Sequence, residues 1–263
     1  MQNLLVIGII GLFAQFIDGT LGMGYGVFSS SWLIAAGLYP AIASATVHTA
    51  EVFTTLVSGG SHLFFGNVKK EWLLPLVIPG VISGVAGAYF LTSIPGATIK
   101  PYIAGFLLIL GILVLYRSIS RKIPPPTTDS AKTNSSPPRP ISRLKLLLLG
   151  FTAAFLDAVG GGGWGPIATP GLILSGNTEP RKVVGTVNLA EFFITIAISI
   201  TFIVTLGWEN FEWDLVIALL IGGIIAAPIA AYLCKRMPTK LLGILIGLVL
   251  IGLNLRTILT LLL

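Results

Sequence analysis

Long apolar stretches broken by short polar punctuation run the whole length of the chain. The apolar runs fall at 3–17, 25–38, 41–65, 72–92, 98–117, 143–158, 164–176, 182–206, 213–234 and 239–262. None alternates with the period of two that a half-solvated strand needs, and most approach the roughly 20 residues that cross a bilayer as a helix. In lipid every backbone amide must be bonded within its own segment, so runs of this kind predict helices. The pattern therefore predicts an all-α, polytopic membrane protein with about ten transmembrane helices. Two runs, 25–38 and 164–176, are short and each follows a glycine-rich stretch; the second also holds Pro166 and Pro170. These are expected to be short or broken helices. The first run has the length of a signal-peptide core, but Met1-Gln2-Asn3 supplies no basic leader, so it is expected to be a retained first span.

The two halves of the pattern repeat. Asp18-Gly-Thr-Leu-Gly-Met-Gly-Tyr-Gly answers Asp157-Ala-Val-Gly-Gly-Gly-Gly-Trp-Gly at a constant offset. One residue further out of step, Thr46-Val-His-Thr-Ala-Glu-Val-Phe answers Thr186-Val-Asn-Leu-Ala-Glu-Phe-Phe; Tyr89 then matches Tyr232 and Pro95 matches Pro238. Between the halves, residues 118–142 are rich in Pro, Ser and Thr and cannot bury a core, which predicts a mobile, exposed linker. The expected organisation is a first five-helix repeat over 1–117, the linker over 118–142 and a second five-helix repeat over 143–263. Five spans per half would insert the second half upside down relative to the first, an inverted repeat of the kind found in secondary transporters.

Composition sharpens this. Apolar residues make up 54% of the 263 and charged residues 10%, against about 25% charged in a soluble domain. The mean hydropathy is +0.94. A net charge of +6 suggests nucleic acid, but the basic residues sit between apolar runs rather than on one face, so no nucleic-acid partner is expected. With the N-terminus outside and ten crossings, Lys69, Lys70, the linker cluster from Arg117 to Lys145, Arg181, Lys182, Lys235, Arg236 and Lys240 all face the cytoplasm. The outer side receives Lys100, Glu209, Glu212, Asp214 and Arg256. This is a positive-inside pattern, and it places both termini outside and the linker in the cytoplasm of a cell-membrane protein.

Charge inside the membrane is costly, about 2.5–3.5 kcal/mol for an aspartate at a helix centre, so the intramembrane acids mark candidate chemistry. Glu51 and Glu191 occupy matching positions of the repeat, each within an apolar helix. Each is either a hydrogen-bonded strut or a proton carrier lining a site. His48 lies one turn before Glu51, and Asn188 holds the equivalent place before Glu191. Asp18 and Asp157 stand where a helix meets its glycine run; they either cap helix ends or guard two symmetric entrances. The glycine runs permit close approach to backbone amides, and a helix start aims unpaired N–H groups at whatever lies before it. Two such starts, one per half, form a candidate anion site made of Gly22, Gly24, Gly26, Gly161, Gly162, Gly163 and Gly165. Tyr25 and Trp164 would wall it, and Thr46, Thr49, Thr186 and Asn188 would supply polar groups. Close helix packing is the competing use of small residues. His62 is expected at the membrane interface, and Cys234 as a small apolar residue at a helix end. Two histidines and one cysteine give little basis for a metal site, and no metal or cofactor is expected. No P-loop and no His-Glu-x-x-His motif is present, so neither intrinsic ATP drive nor a zinc enzyme is expected.

On these residues, Asp157 through Pro166 with the degenerate copy at Asp18, the chain resembles the sulfite exporter TauE/SafE family over nearly its whole length. The first copy departs in having Leu21, Met23 and Tyr25 between its glycines. The resemblance implies a transporter of small anions, often sulfur-containing: sulfite, sulfonates such as sulfoacetate, or thiosulfate. It carries the glycine positions Gly160 to Gly163, Gly165 and Pro166, with Gly22, Gly24 and Gly26, into that role. The expected activity is secondary anion transport by alternating access, proton-coupled through the glutamates. A homodimer is a candidate assembly. A cation carrier or channel using the acids as ligands, and a non-transporting membrane scaffold, are the alternatives.

Overall fold

The computed structural model describes residues 3–120, 141–175, 179–234 and 239–262. Most of the expected linker, with Lys235, Arg236 and Pro238, lies outside the described residues. The described chain is all helical: α1 (Leu4–Leu21), α2 (Tyr25–Ala35), α3 (Pro40–Phe64), α4 (Lys70–Thr92), α5 (Gly96–Ile119), α6 (Arg143–Gly160), α7 (Trp164–Ser175), α8 (Pro180–Leu206), α9 (Trp213–Leu233) and α10 (Thr239–Leu262), with a 3-10 turn at Trp208–Asn210. Local chemistry sets the starts. Asn3 caps α1 by accepting the Leu5 amide at 3.0 Å, and Ser142 accepts the Lys145 amide at 3.4 Å at the start of α6. Pro40 and Pro180 open α3 and α8, where a missing N–H costs nothing.

Six helices, α1, α4, α5, α8, α9 and α10, are long and apolar enough to cross a membrane. The other four fail for reasons that bear on the site. Polar residues along its 25-residue length hold down the hydropathy of α3, and α6 carries Arg143, Lys145 and Asp157. With 11 and 12 residues, α2 and α7 reach only some 16–18 Å, about half of a hydrocarbon core.

Apolar side chains face outward on the long helices: Leu74, Ile82, Ile109, Val204, Ile221 and Leu245 are all exposed. Polar side chains are turned inward, among them Gln15, Ser29, Ser44, His48, Thr54, Ser83, Thr195 and Asn254. This reversal of the soluble pattern is what a lipid solvent selects. Lipid offers no hydrophobic drive between helices, so association rests on close backbone approach at small residues. A Cβ on Gly222 of α9 would lie 2.0 Å from the Gly8 carbonyl oxygen of α1, and one on Gly150 of α6 would lie 2.4 Å from the Leu76 carbonyl oxygen of α4.

Those approaches also give helix directions. Gly8, Gly11 and Gly19 of α1 meet Ala218, Leu219 and Ala230 in that order, so α1 and α9 run together. Likewise Gly80 and Gly84 of α4 meet Ile194 and Ile198 of α8, and α4 runs alongside α6 as Leu76 meets Gly150 and Gly87 meets Ala158. Gly111 of α5 meets Leu250 of α10 while Leu115 meets Gly247, so these two run oppositely. Pairings in one half have counterparts in the other: α1 on α9 and α6 on α4, α3 on α9 and α8 on α4, α2 on α10 and α7 on α5. Short α2 follows the direction of α10, with Gly24 near Ile246 and Ser31 bonded to Asn254, and its end leads into the start of α3. The end of α1 lies against the last turns of α3, where His62 Nε2 donates to the Gly19 carbonyl at 3.0 Å. Hence α1 and α2 form a hairpin that enters and leaves on one side. By the same register, with Gly163 beside Leu156 and Gly171 beside Leu149, α6 and α7 form another.

Candidate functional site

Both hairpin turns are built alike. Helix α1 stops at Gly22 (φ 67°, ψ 30°), whose amide bonds the Asp18 carbonyl at 2.6 Å; α6 stops at Gly161 (φ 69°, ψ 22°), whose amide bonds the Asp157 carbonyl at 2.8 Å. This left-handed conformation is what glycine admits at low cost, and it closes the helix. The two turns are packed against each other. A Cβ on Gly26 would lie 2.7 Å from Gly162 Cα, one on Gly165 would lie 2.6 Å from Met23 Cα, and one on Gly162 would lie 2.0 Å from the Val27 nitrogen. Reciprocal hydrogen bonds lock the crossing: the Ser30 hydroxyl donates to the Gly161 carbonyl, and the Thr169 hydroxyl donates to the Gly22 carbonyl.

The expected anion seat between the two helix starts is therefore filled by the chain itself. Asp157 Oδ1 accepts the amides of Gly163 at 2.7 Å and Trp164 at 3.0 Å, and Pro166 has no amide to offer. The carboxylate of α6 thus caps α7, and the glycines serve backbone-to-backbone packing. The matching Asp18 interacts with the backbone of Tyr25 at the start of α2 and with the Asn188 side chain. Asp157 thus caps across its hairpin, and Asp18 stands at the equivalent place beside the start of α2.

Around these caps the acids converge. Asp18, Glu51, Asp157 and Glu191 are all at most 4% exposed, and they act on one another electrostatically. His48 Nε2 is 3.1 Å from Asp157 Oδ2 and 4.0 Å from Glu51 Oε2. Between the halves, Ser58 of α3 donates to Asn188 Oδ1 of α8 at 2.6 Å. Glu51 has no hydrogen-bond partner on either carboxyl oxygen, and Glu191 has none on Oε2. Glu51 Oε1 points at the turn crossing, 3.2 Å from where a Cβ on Gly26 would stand.

The remaining candidates divide. Tyr25 and Trp164 are buried at the crossing; the Trp164 indole donates to the Val187 carbonyl at 3.1 Å, the Tyr25 hydroxyl interacts with the Thr54 side chain, and the Thr46 hydroxyl is buried without a hydrogen-bond partner. Thr49 bonds the Ala45 carbonyl of its own helix at 2.7 Å. Thr186 is not at the crossing: it accepts the Lys69 amide at 2.8 Å and donates to the Lys182 carbonyl, which ties α8 to the α3–α4 turn. His62, expected at an interface, is instead fully buried and bonded to Gly19 and Asn67. Cys234 is buried at a helix end. Among the described residues no three His, Cys, Asp or Glu side chains are grouped to hold a metal ion.

The sequence reading missed several residues that build this site. Ser30 and Thr169, 139 residues apart like Asp18 and Asp157, carried a repeat signal that went unread. Ser44, which bonds His48 and the Ala158 carbonyl, had none. Arg117 was assigned to the linker cluster, but its Nη1 donates to the Pro166 carbonyl at 2.9 Å. Pro170 lacks the amide that would bond that carbonyl one turn back, so an orphaned acceptor was legible in the sequence, though its partner was not.

A buried, charged junction formed by two similarly built helix hairpins, wrapped in lipid-facing helices, is the build of a multi-pass membrane transporter. The chain belongs to the sulfite exporter TauE/SafE family, whose model matches residues 7–257. It is 48% identical over 258 residues to the probable membrane transporter protein YtnM of Bacillus subtilis (strain 168), covering 98% of this chain and 83% of that one. It is 26% identical over 245 residues to the probable membrane transporter protein YdhB of the same organism, covering 92% and 93%. No solved structure matches the chain. As a member of this transporter family it is not an enzyme.

Proposed function

We propose that the protein is a secondary transporter of a small, sulfur-containing anion (sulfite, a sulfonate such as sulfoacetate, or thiosulfate) that moves together with protons by alternating access. The observation that carries the reading is the cluster of four buried acids at the crossing of the two hairpins, with both carboxyl oxygens of Glu51 free of hydrogen bonds inside it. Four ionised carboxylates in one low-dielectric cluster repel one another and repel an anion; protons on the glutamates remove both conflicts. A substrate anion then binds with its protons, and the deprotonated cluster expels it. Family membership favours sulfur anions.

The fold reading that goes with it is two inverted five-helix repeats, 1–117 and 143–263, joined by a cytoplasmic linker in the cell membrane with both termini outside. Supporting it are the opposed directions of α5 and α10 and the exchanged pairings of the two halves. In that orientation Lys69, Lys70, Arg143, Lys145, Arg181 and Lys182 share the cytoplasmic end. There Arg181 holds the Glu179 carboxyl below its usual range through a 2.6 Å hydrogen bond. Because each short helix returns to the side from which its partner entered, the hairpins do not alter this orientation. The turn crossing seen here, packed without space between the turns, is on this reading an occluded state that must part to admit substrate.

The test is reconstitution in liposomes with sulfite, thiosulfate and sulfoacetate, with and without an imposed pH gradient. Saturable flux of one anion, raised by the gradient, supports the reading. Flux of a cation that is lost on removing the acids would favour a cation carrier instead.

A further inference from the structure

We infer that His48 is held as an imidazolium, a fixed positive charge that keeps Asp157 ionised, so that the two halves of the cluster differ in charge although they match in shape. The inference deepens the proton-coupled reading above and rests on it only for its functional consequence. The geometry supplies the protonation state. His48 Nδ1 lies 2.8 Å from the Ser44 carbonyl oxygen, which can only accept, so Nδ1 carries a hydrogen. The Ser44 hydroxyl, 3.2 Å from the same nitrogen, spends its own hydrogen on the Ala158 carbonyl at 2.8 Å, and so it too faces Nδ1 as an acceptor. Both contacts fix the Nδ1 hydrogen. At the other nitrogen, Nε2 meets Asp157 Oδ2 at 3.1 Å. Without a second proton, two lone pairs would face each other there.

That proton belongs on the imidazole. Asp157 Oδ1 already accepts two backbone amides, from Gly163 and Trp164, and such bonds favour the carboxylate. The surroundings of His48 agree. Its own helix presents Glu51 Oε2 at 4.0 Å, α6 presents Asp157, and α8 presents the uncharged ring of Phe202 at 6.1 Å. Among the described residues, the charged groups paired with it, Glu51 and Asp157, are both acids. In the other half, Asn188 stands where His48 stands, and its amide meets Asp18 without charge. Asp157 is therefore clamped as a charged cap, and Asp18, Glu51 and Glu191 remain to exchange protons. His48 is a positioning residue: it acts through Asp157, which in turn holds the start of α7.

Nitrogen-15 NMR of histidine-labelled protein in nanodiscs tests this without any transport assay. The chain has two histidines, and the second is an internal reference: His62 donates from Nε2 to Gly19 and accepts at Nδ1 from Asn67, which makes it neutral. The expected spectrum at neutral pH contains one imidazolium and one neutral imidazole. Substitution His48→Asn removes the imidazolium, and Asp157→Asn, which keeps an oxygen for the two amides, converts it to a neutral ring. Two neutral histidines in the native protein would overturn the inference whatever the flux measurements say. An imidazolium that persists in folded Asp157→Asn would overturn the assignment of Asp157 as its partner. Absence of anion flux with the expected spectrum would count against the transport reading alone.

Discussion

At the residue scale, the glutamates and the glycines make opposite kinds of demand. Glu51 and Glu191 were found from the sequence because charge in an apolar helix is costly and the repeat placed them twice. Their surroundings were not legible, since the partners come from other helices. If they carry protons, Glu51→Gln and Glu191→Gln each flatten the dependence of flux on pH, because the amide cannot exchange a proton. Retention of the native pH profile in both variants would remove that role. The glycines admit two readings in the sequence, amide donors to an anion or close packing; in this conformation they pack, and only the position of the facing turn makes that visible. Gly162→Ala places a methyl 2.0 Å from the Val27 nitrogen at a left-handed φ of 158°, and is expected to cost upwards of about 4 kcal/mol or to prevent folding. Gly60→Ala, with nothing within 4 Å of its added carbon, is expected to change thermal stability little. Equal stability of the two variants would contradict the packing role.

At the element scale, the short helices α2 and α7 were foreseen from run length and from the prolines of the second. Ten crossings require each short helix to return, but that the two turns would pack against each other was not legible, because run length gives no position. The crossing of the two turns holds them near their starts, and α7 gains a second tether in Arg117. Removing the side chain with Arg117→Ala leaves the Pro166 carbonyl without its donor, at an expected cost of about 1–3 kcal/mol. Pro170→Ala restores a helix amide one turn on, so the double variant is expected to recover most of that loss. Thermal melts of the two single variants and the double variant measure the coupling; strictly additive losses would show that Arg117 does not replace the missing amide.

For the whole molecule, the all-helical build and the ten helices were legible, because lipid imposes one rule on every span. The helix pairing was not, since α1 packs on α9 across about two hundred residues of sequence and α6 on α4 across about seventy. The proposed orientation rests on the basic residues gathered at one end. With buried Cys234 replaced by alanine, a cysteine at exposed Glu71 is expected to react with an impermeant thiol reagent only after permeabilisation of cells. One at Ser93, past the other end of α4, is expected to react from outside. The reverse result would invert the orientation.

The central claim is that an anion and protons share the acid cluster at the hairpin crossing. Its most direct test is uphill accumulation of a sulfur anion in liposomes driven by a pH gradient alone, with no anion gradient to begin with. Accumulation by the native protein that fails in the Glu51→Gln and Glu191→Gln variants is the expected result. Anion flux that never exceeds equilibration and is indifferent to the proton gradient would contradict the account.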